Sequence, residues 1–110
     1  MLFYENLLLS EQLENHKDIL RSVREGTVPK NVFLLCINKA SKNLMDIYFS
    51  GEINKPYVKI DDLLVIAICK DKNDAKEKCA EILNVFVKEN SSLHGFKARY
   101  CANRVQGDSK

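Results

Sequence analysis

The residues of this chain that could do chemistry do not stand at spacings that catalysis or metal binding requires. The two histidines, His16 and His94, are far apart, and the four cysteines form no C-x-x-C pair, so no zinc-ligand pattern exists. Asp61 and Asp62 could contribute to a Mg²⁺ site, but no third carboxylate follows at a matching spacing. Two acids before an apolar run are typical of a solvated strand start. The sequence therefore predicts no metal site.

Nucleophile and phosphate-binding patterns are also missing from the sequence. It contains no G-x-S-x-G motif, and its four glycines form no phosphate-cradling loop. The cysteines fall in apolar runs or on an apolar helix face, as is typical of small core residues in a reducing compartment. We therefore predict no catalytic residue and no cofactor. An enzyme is the third functional hypothesis, since its cleft would have to combine distant residues such as His94 with Asp61 or Asp62.

Composition and charge indicate one globular domain of an ordinary kind. The chain has 110 residues, 45% hydrophobic and 29% charged, and a net charge of +2 from 17 basic and 15 acidic side chains. That balance is too even to favour nucleic acid or a membrane by itself. No apolar run approaches the roughly 20 residues that a membrane span needs, and no basic signal-peptide start precedes the N-terminal apolar residues. We predict a cytoplasmic protein with one domain at 1–102 and a flexible polar tail at 103–110.

The spacing of apolar residues predicts two helices. In the first, most apolar residues recur three or four positions apart; they are Leu2, Leu9, Leu13, Leu20 and Val23, with His16 in the same stripe. Ser10 could cap this helix after a short lead-in, which is the favoured division, and the alternative is one longer helix from about residue 3. Gly26 and Pro29 end it. The second helix covers 75–90 and begins at a cap supplied by Asp71 or Asn73.

Four strand-like runs differ in the polarity of their two faces. Residues 32–37 and 63–69 are apolar on both faces, whereas 44–49 and 96–101 carry charge on one face, with Asp46 on the former and Lys97 and Arg99 on the latter. Central strands are buried on both sides and edge strands need not be. We therefore expect the first pair in the centre of a sheet. The short loop after residue 37 makes the first two strands antiparallel, and a right-handed crossover through the second helix makes the last two parallel.

These elements define an α+β fold in the order α-β-β-β-α-β, with a four-stranded mixed sheet and a strand-helix-strand crossover. The favoured arrangement is a two-layer sandwich in which both helices share one face, ferredoxin-like in style. The other sheet face would then need a cover, and an apolar centre rimmed by Asp46, Lys97 and Arg99 would suit a second subunit. The alternative places helices on both faces. The leading functional hypothesis is a non-catalytic interaction or regulatory module that forms a homodimer through its sheet or binds another protein.

A second functional hypothesis comes from the basic residues at the end of the first helix. Lys17, Arg21, Arg24 and Lys30 cluster there and could contact nucleic acid. Glu14, Asp18 and Glu25 are interleaved with them, which is also the pattern of a solvated helix face. No RNP-like motif supports the nucleic-acid hypothesis.

The run LFYENLLL at 2–9, and the run AICK at 67–70 that leads into a helix with Ala75, resemble short bacterial proteins of no assigned function. The resemblance covers most of the chain. It implies a bacterial cytoplasmic setting and brings no ligand, partner or site residue.

Overall fold

The computed structural model describes residues 2–53, 55–102 and 105–106. The predicted tail at 103–110 lies outside the described residues except for Val105–Gln106. The described residues form five strands and three α-helices: β1 (Leu2–Leu9), α1 (His16–Arg24), β2 (Phe33–Asn38), β3 (Asp46–Phe49), β4 (Leu63–Cys69), α2 (Lys72–Asn90), α3 (Phe96–Ala102) and β5 (Val105–Gln106). Two short 3-10 helices, Ser50–Glu52 and Ile60–Asp62, lie between β3 and β4. The predicted α+β class is confirmed, and the order α-β-β-β-α-β is matched approximately. β1 is added in front of it, and α3 is inserted before β5.

The strands form one mixed sheet in the order β3-β2-β4-β1-β5. β2 is antiparallel to both β3 and β4, whereas β1 is parallel to β4 and antiparallel to the short β5. β2 and β4 are therefore the central strands, as their continuous apolar runs predicted. All seven residues of β4 are buried, because it has a strand on each side and helices above and below.

The N-terminal segment corrects the prediction for the first helix. Residues 2–9 are a strand, and α1 begins only at His16 after Asn15 adopts a left-handed backbone with φ of 60°. Phe3 is buried while its neighbour Leu2 is exposed, which is the period of a strand. Ser10 caps no helix, and His16 is exposed rather than at the edge of the core.

The segment 96–101 corrects a second prediction, because it is the helix α3 rather than a strand. Phe96 and Tyr100 lie one helical turn apart, with ring centroids separated by 5.0 Å. Phe96 also packs edge-on against Phe86 of α2, and Tyr100 packs against Tyr4 of β1. The crossover from β4 through α2 thus returns to the sheet by way of α3 and β5, and the parallel partner of β4 is β1.

Helices cover both faces of the sheet, which is the second arrangement left open by the sequence. On one face Ile19 and Val23 of α1 pack with Val65 and Ile68 of β4 in a single apolar cluster. On the other face α2 and α3 contribute a second cluster with the opposite side chains of β2 and β4. Since no sheet face is left bare, a subunit is not needed to cover the sheet centre.

The pairing of β4 with β2 contains a bulge. Leu35 pairs with Ala67 but the next residue of β2, Cys36, pairs with Val65, so Ile66 is left without a partner in β2. Both Ile66 and Ala67 consequently face the α2 side, which is the geometry of a β-bulge. The pairing of β1 with β4 is also irregular opposite Ile66, between Phe3 and Leu8 of β1, and Glu5 and Asn6 in that interval are exposed.

The strand assignment of 2–9 can be tested with two adjacent substitutions. Phe3→Ala should lower the free energy of unfolding by about 3–5 kcal/mol, because it removes a buried aromatic ring. Leu2→Ala should cost much less, since Leu2 is 46% exposed and Phe3 only 7%. Urea unfolding measures both values. A larger loss for Leu2→Ala than for Phe3→Ala would contradict the strand and favour the helical stripe.

Candidate functional site

A buried polar pair lies where the parallel strands β1 and β4 end. Ser10 follows β1 and Asp74 lies in the first turn of α2, and their side chains are 2% and 4% exposed. The Ser10 hydroxyl donates a hydrogen bond of 2.7 Å to Oδ1 of Asp74. The backbone N–H of Lys70 donates to Oδ2 of the same carboxylate at 2.8 Å. Both carboxylate oxygens are therefore satisfied, as a buried carboxylate requires.

Further hydrogen bonds connect the Ser10–Asp74 pair to the loop after β1, to β4 and to the start of α2. The Ser10 N–H donates to the carbonyl of Ile68 in β4 at 3.0 Å, and the N–H of Gln12 donates to the Ser10 hydroxyl at 3.2 Å. On the α2 side, Asp71 caps the helix by accepting the N–H of Asp74 at 2.8 Å, which confirms that predicted cap. The loop after β1 and the start of α2 are thus joined through one buried contact.

Ser10, His16 and Asp74 come together without forming a catalytic triad. Nε2 of His16 lies 3.0 Å from the backbone oxygen of Ser10 rather than from its hydroxyl. The hydroxyl proton is directed to Asp74 instead. A triad needs the imidazole to take the proton of the nucleophile, so the arrangement is structural.

A second link between the β1 loop and α2 is an ion pair. Lys78 is largely buried and its Nζ lies 3.2 Å from Glu11 and 3.3 Å from Glu81. The hydrogen bond from Lys78, with its positive charge nearby, lowers the pKa of Glu11. Burial works to lower the pKa of Lys78, but the bonds to Glu11 and Glu81 outweigh it and the net pKa is raised. Both charges are thus favoured in the folded state.

Two surface depressions lie near β1, one beside the loop that follows it and one beside the strand itself. The first, the strand-end cleft, has a volume of about 350 Å³ and lies beside the loops at the carboxyl ends of β1 and β4. It is lined by Gln12, Leu13, Glu14, Asn15, Asp18, Ile19, Ser22, Pro29, Lys30, Asn31, Val32 and Lys70.

The second depression, the edge groove, has a volume of about 290 Å³ and lies between β1, α2 and α3. It is lined by Tyr4, Leu8, Lys78, Glu81, Ile82, Val85, Phe86, Glu89, Arg99 and Tyr100. Leu8 is 43% exposed and Val85 54% exposed. The four charged side chains are arranged as the ion pairs Lys78–Glu81 and Arg99–Glu89, so the rim of the groove is close to neutral.

Part of the β1 backbone beside the edge groove has no pairing strand among the described residues. In that part of the chain β5 pairs with Phe3 and Tyr4, and the N–H of Ser10 is directed to β4. Because alternate residues of a strand turn their backbone groups to opposite sides, Leu9 turns its N–H and C=O outward. Within 2–53, 55–102 and 105–106, no strand pairs with this outer side of Leu9.

The residues expected to rim a sheet interface are placed in separate contacts. Nζ of Lys97 donates to the carbonyls of Asn38 and Ser41, at 3.0 and 2.5 Å, and so holds the loop between β2 and β3. Asp46 accepts a hydrogen bond from the side chain of Asn43. Arg99 pairs with Glu89 and lies over the Phe86 ring in the edge groove. Only Arg99 therefore lies in one of the two depressions.

The residues expected to contact nucleic acid are all exposed. Lys17, Arg21 and Arg24 lie on α1, and Arg21 is 3.4 Å from Asp18 in an ion pair. Lys30 lines the strand-end cleft. The predicted contact with nucleic acid stays a prediction.

The described part of the chain contains neither a metal-binding cluster nor a membrane-spanning helix. His94 and Asp61 are both exposed there. Across that part, no group of three or more histidine, cysteine or acidic side chains could hold a metal ion. Its helices also include none with the length and apolar character to cross a membrane.

Sequence reasoning missed the Ser10–Asp74 pair, and the reason is separation along the chain. The two residues are 64 positions apart, and Ser10 already had a local explanation as a helix cap. The available signal was a polar residue in the segment that follows each of two apolar runs, and it becomes informative only once residues 2–9 are taken as a strand beside β4.

Comparison with known protein families, with curated proteins and with solved structures gave no match to this chain. The geometry of the described residues is therefore the basis for the functional proposal.

The buried pair predicts a clear stability difference between two serines. Ser10→Ala should lower the free energy of unfolding by about 1–3 kcal/mol, because it leaves one oxygen of a buried carboxylate unpaired. The control Ser92→Ala lies at an exposed turn and should change it by less than about 0.5 kcal/mol. Denaturant unfolding measures both. Equal effects of the two substitutions would contradict the importance of the pair.

The Lys78–Glu11 ion pair should make a pH-dependent contribution to the free energy of unfolding. A carboxyl whose pKa is lowered by folding adds stability above its unfolded pKa, and that stability is lost as pH falls through the lowered folded pKa. Lys78→Met should return the pKa of Glu11 toward its ordinary value, as measured by NMR titration of the side-chain carboxyl. Glu81→Gln, which leaves the Glu11 contact in place, should keep the pKa of Glu11 lowered. An unchanged Glu11 titration in Lys78→Met would refute the link.

Proposed function

We propose that this chain is a non-catalytic protein-interaction module that self-associates through its sheet, at the outer edge of β1. The supporting observation is the coincidence of an open strand edge at Leu9 with the adjacent edge groove, where Leu8 and Val85 expose apolar surface. An open edge presents backbone donors and acceptors that another strand can pair with. Pairing there would also cover the two apolar side chains.

The covered sheet faces decide which part of the sheet can take a partner. Both apolar clusters are closed by helices of the same chain, so association through a face would need a helix to be displaced. Association through the edge needs no rearrangement of the core. The self-association predicted from the sequence is therefore proposed at the edge.

The charge of the groove favours a second copy over a strongly charged partner. Lys78 and Arg99 are each matched by a glutamate on the rim, so the surface attracts neither polyanions nor polycations. In a two-fold dimer the same surface meets itself, and antiparallel pairing of two β1 edges would place the two neutral grooves together. Leu8 and Val85 of both copies would then lose contact with water.

A reducing compartment, the cytoplasm, is proposed for the module. Cys36, Cys69 and Cys79 are free thiols. Burial raises the pKa of the Cys69 thiol to about 12, so it stays protonated and unreactive near neutral pH. These three thiols serve as core residues and need no oxidising environment.

Two valines of α2 provide a matched test of self-association. Val85→Lys should weaken dimerisation by at least about tenfold, because a lysine ammonium would have to be desolvated at the interface. Val87, which is 38% exposed but does not line the groove, is the control, and Val87→Lys should leave the dimer unchanged. Sedimentation equilibrium over a micromolar concentration series measures both constants.

Circular dichroism should show both lysine variants folded, so that a loss of dimer is not a loss of structure. A monomer at every concentration for the unsubstituted chain would contradict the proposal. Equal weakening by the two substitutions would contradict the assignment of the edge groove as the interface.

A further inference from the structure

We infer that the strand-end cleft binds a small organic molecule that carries one anionic group. The cleft lies at the carboxyl ends of the parallel strands β1 and β4, beside the loops that follow them. Ligands of open α/β sheets commonly bind in the crevice outside the carboxyl ends of strands. The position is therefore one where a sheet of this kind can form a binding site.

The lining of the cleft matches an organic ligand in size and polarity. Its floor includes Ile19, Pro29 and Val32, which are buried, together with the half-buried Leu13. Its rim is polar, and its volume of about 350 Å³ lies at the lower end of the range of roughly 300–1,000 Å³ typical of small-molecule pockets. An apolar part of the ligand would contact the floor while a polar group met the rim.

The charges on the rim select an anion. The ammonium groups of Lys30 and Lys70 form no ion pair with any residue in the described part of the chain. Of the two rim acids, Asp18 is already paired with Arg21, which leaves Glu14 against two lysines. The local balance is one positive charge, and a ligand with a single carboxylate would neutralise it.

The buried pair behind the cleft holds its two sides in place before any ligand binds. The Asp74 carboxylate binds the backbone of Lys70, and the Ser10 hydroxyl accepts from the backbone of Gln12. Both Gln12 and Lys70 line the cleft. A site held in this way loses little conformational entropy on binding.

The cleft is independent of the proposed dimer interface. The strand-end cleft and the edge groove share no lining residue. A failure of self-association would thus not count against the ligand site, and a failure of ligand binding would not count against self-association.

The test is an NMR titration of the whole chain with three carboxylates, benzoate, phenylacetate and hexanoate, and with benzyl alcohol as a neutral comparison. At least one carboxylate should shift the amide signals of residues 12–15, 30–32 and Lys70, and benzyl alcohol should bind at least about tenfold more weakly. The double variant Lys30→Gln/Lys70→Gln should weaken carboxylate binding by a similar factor.

The control double variant, Lys17→Gln/Lys76→Gln, removes the same charge from exposed positions that do not line the cleft, and it should bind as the unsubstituted chain does. The inference is overturned if none of the three carboxylates shifts the cleft signals. It is also overturned if benzyl alcohol binds equally well, or if both double variants weaken binding to the same extent.

Discussion

The complete burial of β4 is the constraint on which the rest of the structure depends. All seven of its residues are buried, so it needs a strand along each edge and apolar cover on each face. β2 and β1 supply the edges, and α1 and α2 with α3 supply the faces. The two neighbouring strands and the helices are thus placed by contact with this one strand, and β3 and β5 extend the sheet by pairing with β2 and β1.

Because helices cover both faces of the sheet around β4, the surfaces left for a partner or ligand lie at the edges of the sheet and at the strand ends. The bulge at Ile66 is accompanied by irregular pairing of β1 with β4, and β1 reaches the surface with exposed Leu8 beside the open backbone of Leu9. At the carboxyl ends of the same strands, Ser10 and Asp74 fix the loops around the strand-end cleft. The edge groove therefore lies beside β1 and the strand-end cleft beside the loop that follows it, and the buried Ser10–Asp74 contact joins the loop after β1 to the start of α2.

The sequence predicted an element correctly where the spacing of its apolar residues fits either a strand or a helix but not both. The unbroken apolar runs placed β2 and β4 in the sheet centre, and Asp71 marked the start of α2 through its cap. Residues 96–101 were misassigned because their apolar residues fit both a strand and a helix: Phe96 and Tyr100 are four positions apart, which is two strand repeats and about one helical turn. For residues 2–9 the sequence favours a lead-in or the start of a longer helix, so their strand was not predicted. The Ser10–Asp74 and Lys97–Asn38 contacts join distant segments, so no local pattern could indicate them.

Hydrogen exchange at two neighbouring amides tests the proposed edge association most directly. The Ser10 N–H is bonded to Ile68 within the chain, whereas the Leu9 N–H faces outward. If copies pair along β1, protection of the Leu9 amide should rise with protein concentration while that of the Ser10 amide stays constant. Leu9 exchange that remains unprotected at every concentration, across a range where Ser10 is protected, would contradict association through this edge.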